Sequence, residues 1–192
     1  MRRILIGVVA ASLMLVGIAG PATARPSFAG PPAGGNAAAP APGDQSIAAI
    51  AIDAGFDELV GALVYVDEEL DAGLVDLFLD GTDQYTVFAP TDEAFEGLYE
   101  FLGVGGITEL DAELVLDVLL YHVTEGRRAA NSVVPPVRDR QITTLLGERF
   151  SVNSKGVISD IFGQEANIVA PNISASNGVI HVIDTVILPI DQ

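Results

Sequence analysis

Tyr85-Thr86-Val87-Phe88-Ala89-Pro90-Thr91-Asp92-Glu93-Ala94-Phe95 reads as a strand that turns directly into a helix. The β-rich run from Tyr85 ends at Pro90, which has no N–H to continue a ladder. Thr91 can cap the helix with its hydroxyl, and Asp92 and Glu93 fall in the first turn, where the helix dipole favours acids. Val87 and Ala89 point to one side of the strand, Thr86 and Phe88 to the other. Such a corner ties a sheet to a helical layer.

Upstream, residues 46–80 carry apolar residues at helical spacing: Ile47, Ile50, Ala51, then Leu59, Val60, Leu63, Val64, then Leu70, Leu74, Leu77, Phe78. Gly55, Gly61 and Gly73 punctuate them. Downstream, Leu110, Leu114, Val118 and Leu119 mark another helix, ending near Tyr121-His122-Val123, with Thr108 and Asp111 spaced like a capping box. Beyond residue 126 the period shortens. Phe150–Asn153 and Val157–Ser159 flank a turn at Ser154-Lys155-Gly156, and Asn167–Ala170 is a further strand. Ile173–Ala175 and a long strand from Val179 to Leu188 flank Ser176-Asn177-Gly178, where Asn-Gly suits the positive φ of a tight hairpin. Ile180 and Val182 share one face of that last strand, Val179, His181 and Ile183 the other, so it is expected to be central and buried. Helices first and antiparallel strands second, with the Tyr85 strand joining the later ones, predict an α+β fold.

Three segments together resemble the fasciclin (FAS1) family: Tyr85–Phe95, Leu119-Leu120-Tyr121-His122-Val123, and Asn172-Ile173-Ser174-Ala175-Ser176-Asn177-Gly178-Val179-Ile180-His181-Val182-Ile183-Asp184. The resemblance covers Gln45 to Ile190. It implies a wedge with an antiparallel, β-sandwich-like core of about seven short strands and helices packed on it. It also implies a secreted or surface-held protein that binds matrix or partners in cell adhesion. Tyr121-His122 lies in the segment tied to adhesion in animal relatives, whereas the acid of the other animal motif is replaced by Asn172. Some secreted relatives bind carotenoids, so a soluble carrier of an apolar small molecule is the alternative function.

The ends of the chain read differently. Arg2 and Arg3, the uncharged apolar run Ile4–Gly20, and Ala22-Thr23-Ala24 form a predicted signal peptide, residues 1–24. Residues 25–44, rich in Pro, Gly and Ala, read as a disordered tail, and residues 45–190 as the FAS1 domain. The mature chain is expected to lack a transmembrane anchor and to be periplasmic, extracellular or loosely surface-associated.

Composition removes whole classes of chemistry. The 192 residues contain no Cys and two His, which excludes disulfides, thiol catalysis and cysteine-ligated metals and leaves no multi-histidine site. There is no Gly-x-Ser-x-Gly elbow, and Gly103-Val104-Gly105-Gly106 lacks the Lys-Ser/Thr continuation of a phosphate loop. No enzyme is expected. The acid runs Asp67–Asp71 and Asp80–Asp83 do not match a calcium loop and read as solvated surface.

Net charge is −17, which disfavours nucleic acid as a partner. It is unevenly spread: residues 25–126 hold 20 acids and only Arg25 as a base, whereas 127–192 hold six of each. The candidate partner-binding residues are therefore Tyr121 and His122 on the helical side and Arg127, Arg128, Arg138 and Arg140 in the basic segment. Arg suits carboxylate or sulfate, so the expected partner is a surface protein or an anionic glycan. The split charge also suggests salt-sensitive self-association. His122 and His181 can alternatively be core histidines whose rings bond to backbone acceptors.

Overall fold

The computed structural model describes residues 41–80 and 82–189. The predicted signal peptide and all but the last four residues of the predicted tail lie outside the described residues.

Helices come first: α1 (Ile47–Ala54), α2 (Asp57–Leu70), α3 (Leu74–Asp80), then strand β1 (Tyr85–Pro90) and helix α4 (Asp92–Leu102). A 3₁₀ turn (Ile107–Glu109) leads into α5 (Ala112–Tyr121), β2 (Val123–Glu125) and the one-turn helix α6 (Ala130–Val133). β3 (Arg140–Thr143), β4 (Arg149–Val152), β5 (Val157–Ser159), β6 (Glu165–Ala175) and β7 (Gly178–Ile183) complete the chain. The fold is α+β, as expected from the order of the periodicities.

The β1–α4 corner forms as its residues dictate. Thr91 caps α4, its hydroxyl accepting the Ala94 N–H at 3.3 Å. α5 differs from expectation: Asp111, not Thr108, is the cap, and its carboxylate accepts from the Glu113 and Leu114 N–H groups. Gly61 does not interrupt α2; Gly55 at positive φ ends α1, Asp71 in the left-handed conformation ends α2, and Gly73, also at positive φ, precedes α3. Asp67 is not simply solvated, because its carboxylate takes the Leu74 and Val75 N–H groups at 2.8 Å and starts α3.

The seven strands run in the order β2-β1-β7-β6-β5-β4-β3. The sheet is mixed rather than antiparallel: β1 pairs with β7 in parallel, from Tyr85 opposite Gly178 to Pro90 opposite Ile183. The long connection between them, from α4 through β6, makes this pairing possible, which a two-residue hairpin could not. The two expected strands 167–170 and 173–175 are one strand, β6, bent by register shifts before and after Ala170. Pro171 has no N–H, and Asn172 sits at φ +66°, so the ladder breaks there without ending. β7 stops at Ile183, five residues short of expectation. The edges of the sheet meet: the Leu145 N–H donates to the Val123 oxygen at 2.8 Å, and the Thr124 hydroxyl to the Thr143 oxygen at 2.7 Å. Closure leaves little free strand edge.

Two cores follow from strand alternation. Val87, Ala89, Ile180 and Val182 face the helices and pack with residues such as Leu59, Phe95 and Leu119. Phe88 and Ile183 face inside the curled sheet with Tyr121, Ile142, Phe150 and Ile158. Phe88 meets Phe150 edge-on at 5.0 Å. Every residue of β7 is buried, as its two apolar faces require.

The β6–β7 hairpin departs from the Asn-Gly reading. Neither Asn177 nor Gly178 has a positive φ. Gly178 is required by space instead: a Cβ there would clash with the Tyr85 carbonyl and lie 2.7 Å from Ile47 Cδ1. Asn177 is buried, accepting the Ile47 N–H at 2.8 Å and donating to the Phe78 oxygen at 2.9 Å. It joins hairpin, α1 and α3.

Candidate functional site

The histidines and their neighbours are set by the α5–β2 corner and the centre of β7. Tyr121 is fully buried. Its hydroxyl donates to the Arg149 oxygen at 3.1 Å, and its ring meets Phe150 edge-on at 5.8 Å. Burial, aided by the nearby charge of Asp160, pushes its pKa up to about 12. His122 caps α5 and is 3% exposed. Nδ1 donates to the Val118 oxygen at 2.7 Å and Nε2 accepts the Ile187 N–H at 3.2 Å, which only the neutral Nδ1-protonated ring can do. Burial takes its pKa down to about 4, against the Val118 bond.

His181 mirrors this with the other tautomer. Nε2 donates to the Arg128 oxygen at 2.9 Å and Nδ1 accepts the Asn172 N–H at 3.2 Å. Burial brings its pKa to about 4 as well. Both rings thus bond to backbone on both nitrogens. The Tyr121-His122 pair is inside the molecule, not on an outer helical face.

The six candidates do not form one group. Arg127, on the segment after β2, turns its guanidinium toward the β6–β7 hairpin. Nη1 donates to the Gly178 oxygen at 2.6 Å, the Ala175 oxygen at 2.9 Å and Gln84 Oε1 at 3.3 Å. Nη2 donates to the Ala41 oxygen at 3.2 Å and to Ser174 Oγ. Gly43 N–H also bonds to the Ala175 oxygen at 3.2 Å, and Ser176 N–H to the Gln45 oxygen at 2.7 Å. Arg127 therefore straps residues 41–45 onto the hairpin. Arg128 donates from Nε to the Glu125 oxygen at 3.1 Å, while its N–H reaches Thr86 Oγ1 at 2.8 Å.

Arg138 and Arg140 lie elsewhere. Arg140 opens β3 opposite Val152, beside the β4–β5 turn that carries exposed Lys155. It also donates to the Ser132 oxygen. Val134 lies close to the same turn, since a Cβ on Gly156 would be 3.7 Å from Val134 Cγ2. Arg138 is exposed there, next to Val137, which is 82% exposed. Arg138 thus precedes β3 by two residues, Arg140 opens it, and Lys155 lies on the turn that follows Val152, the partner of Arg140.

Sequence reasoning left Lys155 out of the candidate residues, although the β3–β4 register sets its turn next to Arg140. It also missed Asn172, whose Oδ1 accepts the Ala130 N–H at 2.7 Å from its left-handed position. The sequence signal for Asn172 was its place directly after Pro171, since Asn tolerates positive φ better than other non-glycine residues. Lys155 could be found only by pairing β3 with β4. Among the described residues no group of three or more His, Asp or Glu side chains is placed to hold a metal ion.

Two apolar cavities lie in the helical layer. One, of about 20 Å³, sits between α2, α4, the 3₁₀ turn and α5. The other, of about 30 Å³, sits between α1, α2, α3 and β1. Each has room for a water or two in the shape described, far less than a carotenoid-length polyene occupies.

Comparison with known proteins places this geometry. The fasciclin domain model matches residues 56–189. Protein sll1483 of Synechocystis sp. is 31% identical over 149 residues, covering 76% of this chain and 76% of that protein. Cell surface glycolipoprotein MPB83 of Mycobacterium bovis is 33% identical over 121 residues, covering 62% and 49%. Transforming growth factor-beta-induced protein ig-h3 of Sus scrofa is 33% identical over 118 residues, covering 62% and 16%. The chain thus spans about half the length of the mycobacterial protein and much less of the pig protein. A solved FAS1 domain pair from the insect cell adhesion molecule Fasciclin I aligns with TM-score 0.49 and 20% identity, over 68% of this chain and 45% of that one. With the domain model spanning well over half of the chain, the protein belongs to the fasciclin (FAS1) domain family.

Proposed function

We propose that this protein is an exported, non-catalytic binding module acting in adhesion or surface interaction, and that its contact face is the basic end of the sheet. The observation that carries this reading is that Arg138 and Lys155 are exposed and that the β3–β4 register sets Arg140 opposite Val152, just before the turn bearing Lys155, on a chain whose residues 25–126 hold 20 acids. The names of two relatives, a cell surface glycolipoprotein and a growth-factor-induced protein, agree with a role outside the cytoplasm. Among the described residues no helix is long and apolar enough to cross a membrane.

The partner is an anionic glycan. Guanidinium forks match carboxylate and sulfate in plane, and exposed Val137 adds an apolar contact beside them. The acidic remainder of the surface repels extended polyanions, which limits contact to this one end. Tyr121, His122 and Arg127 are engaged within the fold and take no part in this face.

The test is binding to a sulfated glycan surface by Arg138→Ala/Lys155→Ala, with Arg140 kept because it also bonds to the Ser132 oxygen. Two exposed charge contacts predict a loss of about three- to tenfold at low salt, shrinking as salt rises. Undiminished binding by the double variant would show that the face lies elsewhere.

A further inference from the structure

We infer that the peptide bond between Arg138 and Asp139 is a processing site for an arginine-specific serine protease, and that the cut leaves the domain folded as two associated chains. Such an enzyme seats an arginine in a pocket floored by a carboxylate and needs a stretch of backbone to lay across its cleft. A helix, a ladder strand or a closed turn withholds that backbone, because its hydrogen bonds must break first.

The bases among the described residues all lie from 127 onward, and five of the six are withheld in this way. Arg127 and Arg128 are half-buried and bond to carbonyls of the fold. Arg140 and Arg149 lie in β3 and β4, opposite Val152 and Thr143. Lys155 is exposed, but its turn is closed: Asn153 Oδ1 accepts the Lys155 N–H at 2.8 Å and the Val157 N–H at 3.1 Å, and the Gly156 N–H donates to the Asn153 oxygen at 3.1 Å. Arg138 differs. Residues 136–139 are all exposed and lie between α6 and β3, outside every helix and strand. Arg25, in the predicted tail, precedes Pro26, whose ring hinders attack on the bond between them.

Both sides of the cut stay anchored. Val133 and Pro135 are buried upstream, and β3 begins its pairing with β4 at Arg140 downstream. The Arg140 guanidinium donates to the Ser132 oxygen, which ties the two ends of the segment together across the cut. The fragment before the cut keeps β1 and the fragment after it keeps β7, and these pair from Tyr85 opposite Gly178 to Pro90 opposite Ile183. In the reaction the protease serine attacks the Arg138 carbonyl carbon, the Asp139 nitrogen leaves with a proton, and water hydrolyses the acyl-enzyme. One water is consumed, Arg138 gains a carboxylate and Asp139 an amino group. One consequence rests on the glycan reading above: the same guanidinium cannot enter the protease pocket and hold a glycan, so a bound glycan shields the bond.

The test exposes the full chain to a low ratio of trypsin under native conditions, with fragments identified by mass spectrometry. The expected first cut within residues 41–189 follows Arg138, and the two fragments should elute together at the volume of the intact chain and part only in urea. Arg138→Ala should lengthen the life of the intact domain about tenfold or more, whereas Lys155→Ala should leave it unchanged. Gly178→Ala, which weakens the whole fold, should leave the rate at Arg138 unchanged; a rise of about thirtyfold, following the unfolded population, would overturn cleavage of the folded state. A first cut at any other base, or fragments that part without denaturant, would overturn the proposal as well. A sulfated glycan should slow this cut but not the cleavage of a small arginine amide by the same trypsin. An unslowed cut would refute the glycan reading of Arg138 and leave the processing site standing, whereas glycan binding by a chain that resists trypsin at Arg138 would refute the processing site alone.

Discussion

Acid will loosen this domain through two imidazoles. Folded His122 and His181 have pKa values of about 4, against an ordinary 6.5. Between those values the unfolded chain binds more protons than the folded one. Stability is therefore fully present above about pH 6.5 and falls as pH drops toward 4, where the loss levels off. The full gap amounts to about 3 kcal/mol for each ring, of which about 2 kcal/mol is lost by pH 4.5. Two rings together approach the whole stability of an ordinary domain, about 5–15 kcal/mol. The structural reason is specific: an imidazolium cannot accept, so protonation breaks the bonds from Ile187 N–H and Asn172 N–H. Those bonds hold the segment after β7 and the bend in β6. Protonating exposed carboxylates relieves the net charge of −17 over the same range, an effect of opposite sign that is weaker for solvated groups.

Urea melts followed by far-ultraviolet circular dichroism measure this, and the absence of Trp makes fluorescence a poorer choice. With a urea slope of about 1.5–2 kcal/mol/M, the midpoint should fall by about 1 M per histidine between pH 7 and pH 4.5. His181→Gln can donate and accept once each, so it should be less stable at pH 7, by about 1–2 kcal/mol from lost packing on Phe88, yet lose about half of the acid sensitivity. His122→Gln should remove the other half. An unchanged acid shift in both variants would assign the titration to carboxylates and refute the neutral-ring bonding.

Two further outcomes follow from the same geometry. Gly178→Ala should cost about 3 kcal/mol in thermal denaturation, because its Cβ meets the Tyr85 carbonyl of a paired strand, whereas Gly61→Ala, with open space around it on α2, should gain up to about 1 kcal/mol. Arg127→Ala should cost about 2 kcal/mol and speed hydrogen exchange at the Gly43 and Ser176 amides, because the strap over the hairpin loses its central donor.

What could be read from residues alone was whatever local chemistry decides. Pro90 and Thr91 fix the β1–α4 corner within a few residues, and the doubly apolar run of β7 announces a central strand. β2 and β3 were invisible for the opposite reason. They are three and four residues long and partly polar, and they exist because partners distant in sequence complete their ladders. The parallel β1–β7 pairing likewise has no local code. β6 looked like two strands because Pro171 and Asn172 break the alternation, although the chain continues through them.

The arginines expose a different limit. Arg127 and Arg138 are equivalent by charge, yet one guanidinium bonds to three carbonyls inside the fold and the other is exposed. A cluster of bases along a chain does not say which member faces the core, because that depends on the unpaired carbonyls folding brings near. The same argument bears on the segments that carry the family resemblance. Thr86, Thr91, Asn172, Asn177 and His181 each bond to atoms within the domain. A side chain whose donors and acceptors are satisfied internally gains little by turning to a ligand, since exposure would strand its partners at a cost of about 1–3 kcal/mol each. Recognition must then come from side chains with no such duty, which is why the segments that reveal the fold and the surface proposed to bind are different residues.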